Sequence, residues 1–187
     1  MKGATHWLML GVTAVLFGAV YAFVDLTPRV DQNFFFSSDD PQLRESNAID
    51  RRFTSGSQLI VSVSAPDISS EAYLERLRQL TERIASVPSV TAVRSLTDGP
   101  KDVADAEASP FWSRLLLAEN RRSSNVIVLT PGNESERLIP RVERIAGEFD
   151  RKDFRIRIAG APYVVEMIRR SLVHDFIYFT LTAVVLF

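Results

Sequence analysis

The sequence predicts an α+β fold for a domain that lies between two apolar, membrane-type ends. Three observations lead to this class. Both ends of the 187-residue chain are strongly apolar, whereas the charged residues concentrate in the middle. In the middle, short apolar strands alternate with amphipathic helices. The central part has roughly 150 residues, the usual size of a single domain. We therefore expect one domain outside the bilayer.

The first apolar run extends from Trp7 to Val24 and contains no charged residue. At about 1.5 Å per residue a helix of this length reaches about 27 Å, close to the hydrocarbon thickness of a bilayer. Lys2 favours a cytoplasmic amino terminus. The alternative is a signal peptide cleaved near Ala22. We expect residues 1–24 to form the cytoplasmic amino terminus and the first transmembrane helix.

The second apolar run, Phe176 to Phe187, is also uncharged. It is too short to cross a bilayer, which needs about 20 residues. The alternative is a buried terminal helix or strand of the soluble domain. Because no polar residue closes the run, we expect residues 176–187 to begin a second transmembrane helix that is truncated here, in a chain that is an amino-terminal fragment.

Residues 25–57 follow the first span and are rich in polar residues and turn signals. Asp39-Asp40-Pro41 is a turn signal that precedes a helix. We expect this segment to be a linker and a leading helix, with Phe53 as its main core contact.

The central domain begins with an apolar strand around Leu59 to Val63, and Ser69 or Ser70 then caps a helix. Apolar residues recur along this helix at spacings of four and three, which places them on one face. They are Tyr73, Leu77, Leu80, Ile84 and Val87. Pro88 ends the helix, and Val90 to Leu96 is predicted to return as a strand.

Residues 101–122 interrupt this alternation and are predicted to be a helical insertion. Asp102, Asp105 and Glu107 lack the spacing of a calcium loop, so we interpret them as a solvated surface. An apolar patch follows, and exposed aromatic and leucine side chains mark docking places for an apolar substrate or partner. The candidate surface consists of Phe111, Trp112, Leu115 and Leu116. The alternative is that this patch caps the sheet.

The second half of the domain repeats the alternation. Asn125 to Leu129 is a buried-type strand, Leu138 to Phe149 keeps a helical period across Pro140, and Phe154 to Ile158 alternates apolar and arginine residues. The predicted order over residues 58–160 is β-α-β-β-α-β. This is the ferredoxin-like arrangement, in which two helices cover one face of a four-stranded antiparallel sheet.

The residue types exclude several kinds of chemistry. The chain has no cysteine, its net charge is −1 and its only two histidines are His6 and His174. These facts leave no thiolate site and no imidazole metal cluster or acid–base pair. Charges of both signs are interspersed, which disfavours nucleic acid as a partner. We expect no enzyme activity, no metal and no cofactor.

Three stretches resemble a known family. They are the segment with Asp39-Asp40-Pro41 and Phe53, the helix-to-strand passage Val87-Pro88-Ser89-Val90, and Gly160-Ala161-Pro162 before a helix and an apolar run. Together with the order of span, domain and span, they resemble the resistance-nodulation-division superfamily of exporters. The first of these stretches looks like the entry segment of its lipid-exporting branch, which is related to the mycobacterial large membrane proteins and the hopanoid transporters.

The resemblance implies an amino-terminal portion of a proton-driven exporter of lipids or other hydrophobic molecules. Residues 58–160 would be a porter subdomain, and 161–175 an amphipathic helix that connects it to the second span through Gly160, Pro162 and Asp175. Implied partners are the lipid bilayer, a hydrophobic or lipid-like substrate, the remainder of the transporter chain and, in a homo-oligomer, further copies of the chain. The implied location is the cytoplasmic (inner) membrane, with residues 25–175 on its extracytoplasmic side.

Two other functions are compatible with the same topology. One is a two-span membrane sensor whose outer domain binds a ligand, and the other is an anchored assembly factor without transport.

Overall fold

The computed structural model describes residues 57–131 and 135–186, together with the single residue Gly11. The predictions for the first transmembrane helix, the linker and the leading helix therefore lie outside the described residues, apart from Gly11 and Ser57.

The described chain contains strands β1 (Ser57–Ser64), β2 (Ala92–Arg94), β3 (Ser123–Thr130) and β4 (Arg155–Ala159). Its helices are α1 (Glu71–Ala85), α2 (Val103–Ala108), α3 (Pro110–Leu116), α4 (Ser135–Phe149) and α5 (Ala161–Leu186). The insertion predicted between the second and third strands consists of α2 and α3.

The strands form one sheet in the order β2-β3-β1-β4. Each neighbouring pair is antiparallel: β1 pairs with β3 and with β4, and β2 pairs with β3. This architecture confirms the predicted α+β class and the four-stranded antiparallel sheet. The sheet places its two central strands, β1 and β3, between the shorter edge strands β2 and β4.

One face of the sheet carries the core. Leu59, Val61 and Val63 of β1 are fully buried, whereas the residues between them keep part of their surface exposed. The register sets Val128 and Val126 of β3 opposite the first two of these residues, so one face receives the large apolar side chains of both strands. Each fully buried side chain of this kind contributes about 1.5–3 kcal/mol to folding.

Helices α1 and α4 supply the second layer of the core. The apolar positions predicted for α1 are buried, and Leu77, Leu80 and Ile84 have no exposed surface. From α4, Leu138 and Val142 enter the same core cluster. The apolar positions predicted from their spacing in the sequence therefore form the helix face that packs on the sheet.

Helix α1 begins and ends at the signals in its sequence. The Ser70 hydroxyl accepts a hydrogen bond from the Tyr73 backbone N–H at 3.4 Å, which makes Ser70 the N-cap. At the other end the Ser86 N–H donates to the Glu82 carbonyl oxygen at 3.0 Å. Pro88, two residues later, cannot continue the helix.

Strand β2 is shorter than the predicted Val90 to Leu96. The Val90 N–H donates to the Val87 carbonyl at 3.1 Å, and Ser89 adopts a φ of +80°, so the chain is still turning there. Beyond the strand, the backbones of Ser95 and Asp98 bond to each other at 3.1 Å in both directions. Between these two turns residues 92–94 pair with β3, and the Thr91 N–H also donates to the Leu129 carbonyl oxygen at 2.8 Å.

The described residues divide into two compact units, and the division falls inside α5. Residues 57–131 and 135–170 belong to the larger unit, and 171–186 belong to the smaller one. A search of the described residues finds no helix that combines the length and the apolar character needed to cross a membrane.

Candidate functional site

The start of α5 is the predicted connection between the domain and the second span, and Gly160 sets its geometry. Gly160 has a φ of +119°, and a Cβ built on it would lie 2.6 Å from the Gln58 backbone oxygen. No other residue fits without displacing backbone. The Gly160 carbonyl then accepts hydrogen bonds from the N–H groups of Tyr163 and Val164, both at 3.1 Å. Glycine thus lets the chain turn closely past β1 into the helix.

The first turns of α5 are anchored in the larger unit. Pro162 is buried, Val165 is 9% exposed and Glu166 is 1% exposed. Tyr163 packs against the core cluster. A glutamate with almost no exposed surface is costly to bury unless its charge is compensated.

Two arginines of α5 compensate that charge. Arg169 donates to Glu166 from Nε at 2.8 Å and from Nη2 at 2.9 Å, and Arg170 donates from Nε at 2.8 Å. Each arginine also reaches a glutamate of α4: Arg170 Nη2 lies 2.9 Å from Glu143 Oε2, and Arg169 Nε lies 3.2 Å from Glu136 Oε1. We call these five residues the α4–α5 ion network.

The network keeps Glu166 ionised. Burial acts to raise the pKa of its carboxyl group, but the hydrogen bonds from Arg169 and Arg170 outweigh burial, and the pKa is lowered from its ordinary value. The bonds are bidentate and charge-assisted, the strongest class of side-chain hydrogen bond. The network therefore holds the first ten residues of α5 against α4 with a fixed geometry.

The sequence carries a signal for half of this network. Glu166 precedes Arg169 and Arg170 by three and four residues, the spacing at which helical side chains meet. In the structure all three residues are partners within the protein.

The second half of α5, from Ser171, is largely exposed, and after Asp175 it carries no charge. Its most exposed large side chains are Phe176 (60%), Tyr178 (62%), Phe179 (75%) and Leu181 (60%). Asp175 is also exposed, and its carboxylate lies 3.7 Å from His174 Nδ1. Exposed apolar residues in such density mark a surface that something else covers.

The four residues of the predicted docking surface differ in exposure. Phe111 is 64% exposed, whereas Leu116 has no exposed surface and belongs to the core. Trp112 and Leu115 are partly buried and pack against that core. The Phe111 and Trp112 rings meet edge to face at 4.8 Å, and the Trp112 ring also lies against Gly99. Docking of a substrate on this patch stays a prediction, in which Phe111 offers most of the surface.

A groove of about 210 Å³ lies beside the β1–α1 connection and the start of β4. Two of its three charged side chains form an ion pair, because Arg76 Nη1 lies 2.7 Å from Asp153 Oδ2. The Arg76 guanidinium also stacks 4.9 Å from the centre of the Phe154 ring. The third charged side chain of the groove, Asp67, is exposed and accepts a hydrogen bond from the Ser69 backbone N–H at 2.8 Å.

Within residues 57–131 and 135–186, no group of three or more acidic or histidine side chains is arranged to hold a metal ion. In the comparisons with known proteins, no family model and no curated protein matches the chain.

Proposed function

We propose that the sheet domain is a ferredoxin-like porter subdomain and that the chain is the amino-terminal portion of a proton-driven membrane exporter of lipids or other hydrophobic molecules. The fold assignment is supported by the strand order β2-β3-β1-β4, in which every neighbouring pair is antiparallel. Helix α1 connects β1 to β2, and α4 connects β3 to β4. This is the split β-α-β arrangement, with α2 and α3 as an addition.

The exporter proposal rests mainly on the difference in polarity and exposure between the two halves of α5. Its first ten residues are fixed to the domain by the α4–α5 ion network. The residues after Asp175 carry no charge and leave large apolar side chains exposed. A helix that is apolar all round is stable when protein or lipid surrounds it. We assign that surrounding to the bilayer, with residues 176–187 as the beginning of a membrane segment.

In this proposal α5 is a mechanical link. Buried ion pairs with bidentate geometry resist deformation, so a displacement of the membrane segment reaches the domain through the same helix. The proton-carrying acids of such exporters lie in later membrane helices, so the described residues take part in substrate handling and in coupling.

A transport assay tests the proposal. The full-length protein is reconstituted into liposomes with a fluorescent short-chain lipid, a pH gradient is imposed, and the labelled lipid in each leaflet is measured by chemical quenching. We expect lipid movement that requires both the protein and the gradient, and that stops on addition of a protonophore.

Lipid movement that persists after the gradient is collapsed would exclude proton-driven export. Absence of movement, together with a ligand-dependent change in a cytoplasmic activity of the same protein, would favour a sensor instead.

A further inference from the structure

The sheet has a second face, opposite to the one that α1 and α4 cover. All charged residues of the strands on this face are basic. The four strands contain three arginines and no acidic residue. Residues that alternate with the buried Leu59, Val61 and Val63 lie on this second face, which we call the open face. Its composition divides along the strands into a polar block and an apolar block.

The polar block occupies the end of the sheet where β4 begins. In the register, Arg155 lies opposite Ser64 and Arg157 lies opposite Ser62. On the other side of β1, Ser123 and Asn125 of β3 complete the same two rows. The hydroxyl groups of Ser64 and Ser123 are 2.8 Å apart. Every member of the polar block has a hydrogen-bond donor and none carries a negative charge. The Asn125 amide already donates one hydrogen bond, to the Leu115 carbonyl oxygen at 3.3 Å.

The two arginines of the block have no carboxylate partner among the described residues. Arg155 and Arg157 are both exposed, and they are two residues apart on one strand, which separates their backbones by about 7 Å. The third arginine of the open face, Arg94, differs because its Nη1 lies 3.4 Å from Asp98 Oδ2. Two unpaired guanidinium groups at this spacing suit a phosphate, which accepts bidentate hydrogen bonds.

The apolar block adjoins the polar one. Ala159 lies opposite Ile60 in the next row, and Ile127 continues that row on β3. Arg94 of β2 ends that row, and Gln58, Leu129 and Ala92 form the next one. Ile60 and Leu129 are half-buried, Ala159 is exposed and Ile127 is only 6% exposed, so the accessible apolar surface comes from Ile60, Leu129 and Ala159. A ligand bound at the arginines therefore meets apolar surface a few ångströms further along the same face.

We propose that the open face binds an anionic amphiphile, a lipid with a phosphate headgroup. The polar block with Arg155 and Arg157 holds the phosphate, and the apolar block beside Ile60 receives the start of the acyl chain. The proposal rests on the proposed function. It adds the position of a lipid-binding site on the domain and the negative charge of the lipid headgroup. A free phosphate would use only the polar block, whereas the amphiphile uses both.

The test is a binding titration with the 187-residue chain in nanodiscs of zwitterionic lipid. The probe is dihexanoyl phosphatidylglycerol below its micelle concentration. Dihexanoyl phosphatidylcholine controls for charge, and glycerol phosphate controls for the acyl chains. The variant Arg155→Gln/Arg157→Gln should bind the probe about tenfold or more weakly, since each hydrogen bond to a charged group is worth about 1.5–3 kcal/mol. Circular dichroism checks that the variant is folded.

The matched control is Arg141→Gln/Arg144→Gln, which removes the same charge from exposed positions of α4. It should bind the probe within about twofold of the wild type. Equal losses in the two double variants would show nonspecific charge attraction and overturn the proposal. Equal affinity for the phosphatidylcholine, or for glycerol phosphate, would overturn it as well.

The binding assay needs no proton gradient, so its result is independent of the transport assay. Probe binding without gradient-driven export would keep the lipid site and remove the exporter function. Export without probe binding would keep the function and remove this site.

Discussion

Replacement of Glu166 by glutamine tests the account of how α5 is fixed to the domain. The side chain is 1% exposed and accepts three hydrogen bonds from Arg169 and Arg170. Removing one partner of a fully buried ion pair costs about 3–5 kcal/mol. Here the arginines are 21% and 37% exposed and each keeps a second glutamate, so solvent screens part of the loss. We expect Glu166→Gln to lower the free energy of unfolding by about 2 kcal/mol.

The measurement is urea denaturation of the chain in nonionic micelles at pH 7, followed by circular dichroism. Glu75→Gln is the matched control, because the Glu75–Arg78 pair is 51% and 54% exposed on its two sides. It should cost less than about 0.5 kcal/mol. If the two variants lose the same stability, or Glu166→Gln loses none, the network does not anchor the helix.

The pH dependence follows from the lowered pKa of Glu166. Its ordinary value is 4.5, so on acidification the unfolded chain takes up this proton before the folded chain does. The contribution to stability is complete above about pH 4.5 and is lost as the pH falls through the lower, folded value. The difference between wild type and Glu166→Gln should therefore shrink only below about pH 4.5.

Three further outcomes are expected. Gly160→Ala should destabilise the chain by about 2 kcal/mol in the same denaturation assay, because Gly160 has a positive φ and an added Cβ would clash with backbone. Gly147→Ala is the control, since Gly147 has open space around it, and it should stabilise the chain by about 0.5–1 kcal/mol. Equal effects of the two substitutions would contradict this role of Gly160. Burial raises the pKa of Tyr73 to about 12, so stability should decline between pH 10 and 12, and Tyr73→Phe should remove that decline. Leu116→Ala should cost about 2–5 kcal/mol and Phe111→Ala less than about 0.5 kcal/mol; similar costs would contradict the assigned burial.

The elements with a long, regular hydrophobic period were predictable from the sequence. The spacing of Tyr73, Leu77, Leu80 and Ile84 identified the buried face of α1, and all four residues are buried. The alternation in β4 likewise identified its two faces. In both cases the spacing of the apolar residues along the chain places them on one face of the element. That face is the one that the core buries.

Features that depend on distant residues were not predictable. The ends of β2 are set by turns and by pairing with β3. The strand predicted from composition alone was therefore too long. Leu116 and Phe111 have similar hydrophobicity, yet one is fully buried and the other 64% exposed. The partner of Arg170 on α4, Glu143, is 27 residues away in the chain, and no local spacing relates them. Gly160 was selected from a resemblance, whereas its physical role is the close approach to β1.

The central claim is that an extracytoplasmic domain is joined to the membrane by α5. Its most direct test is to determine on which side of the membrane the domain lies. A reporter enzyme that is active only outside the cytoplasm is fused after Gly160, and a reporter active only inside is fused at the same residue in a second strain. The account predicts that the first fusion is active and the second inactive. The reverse pattern would place the domain in the cytoplasm and contradict the proposed function.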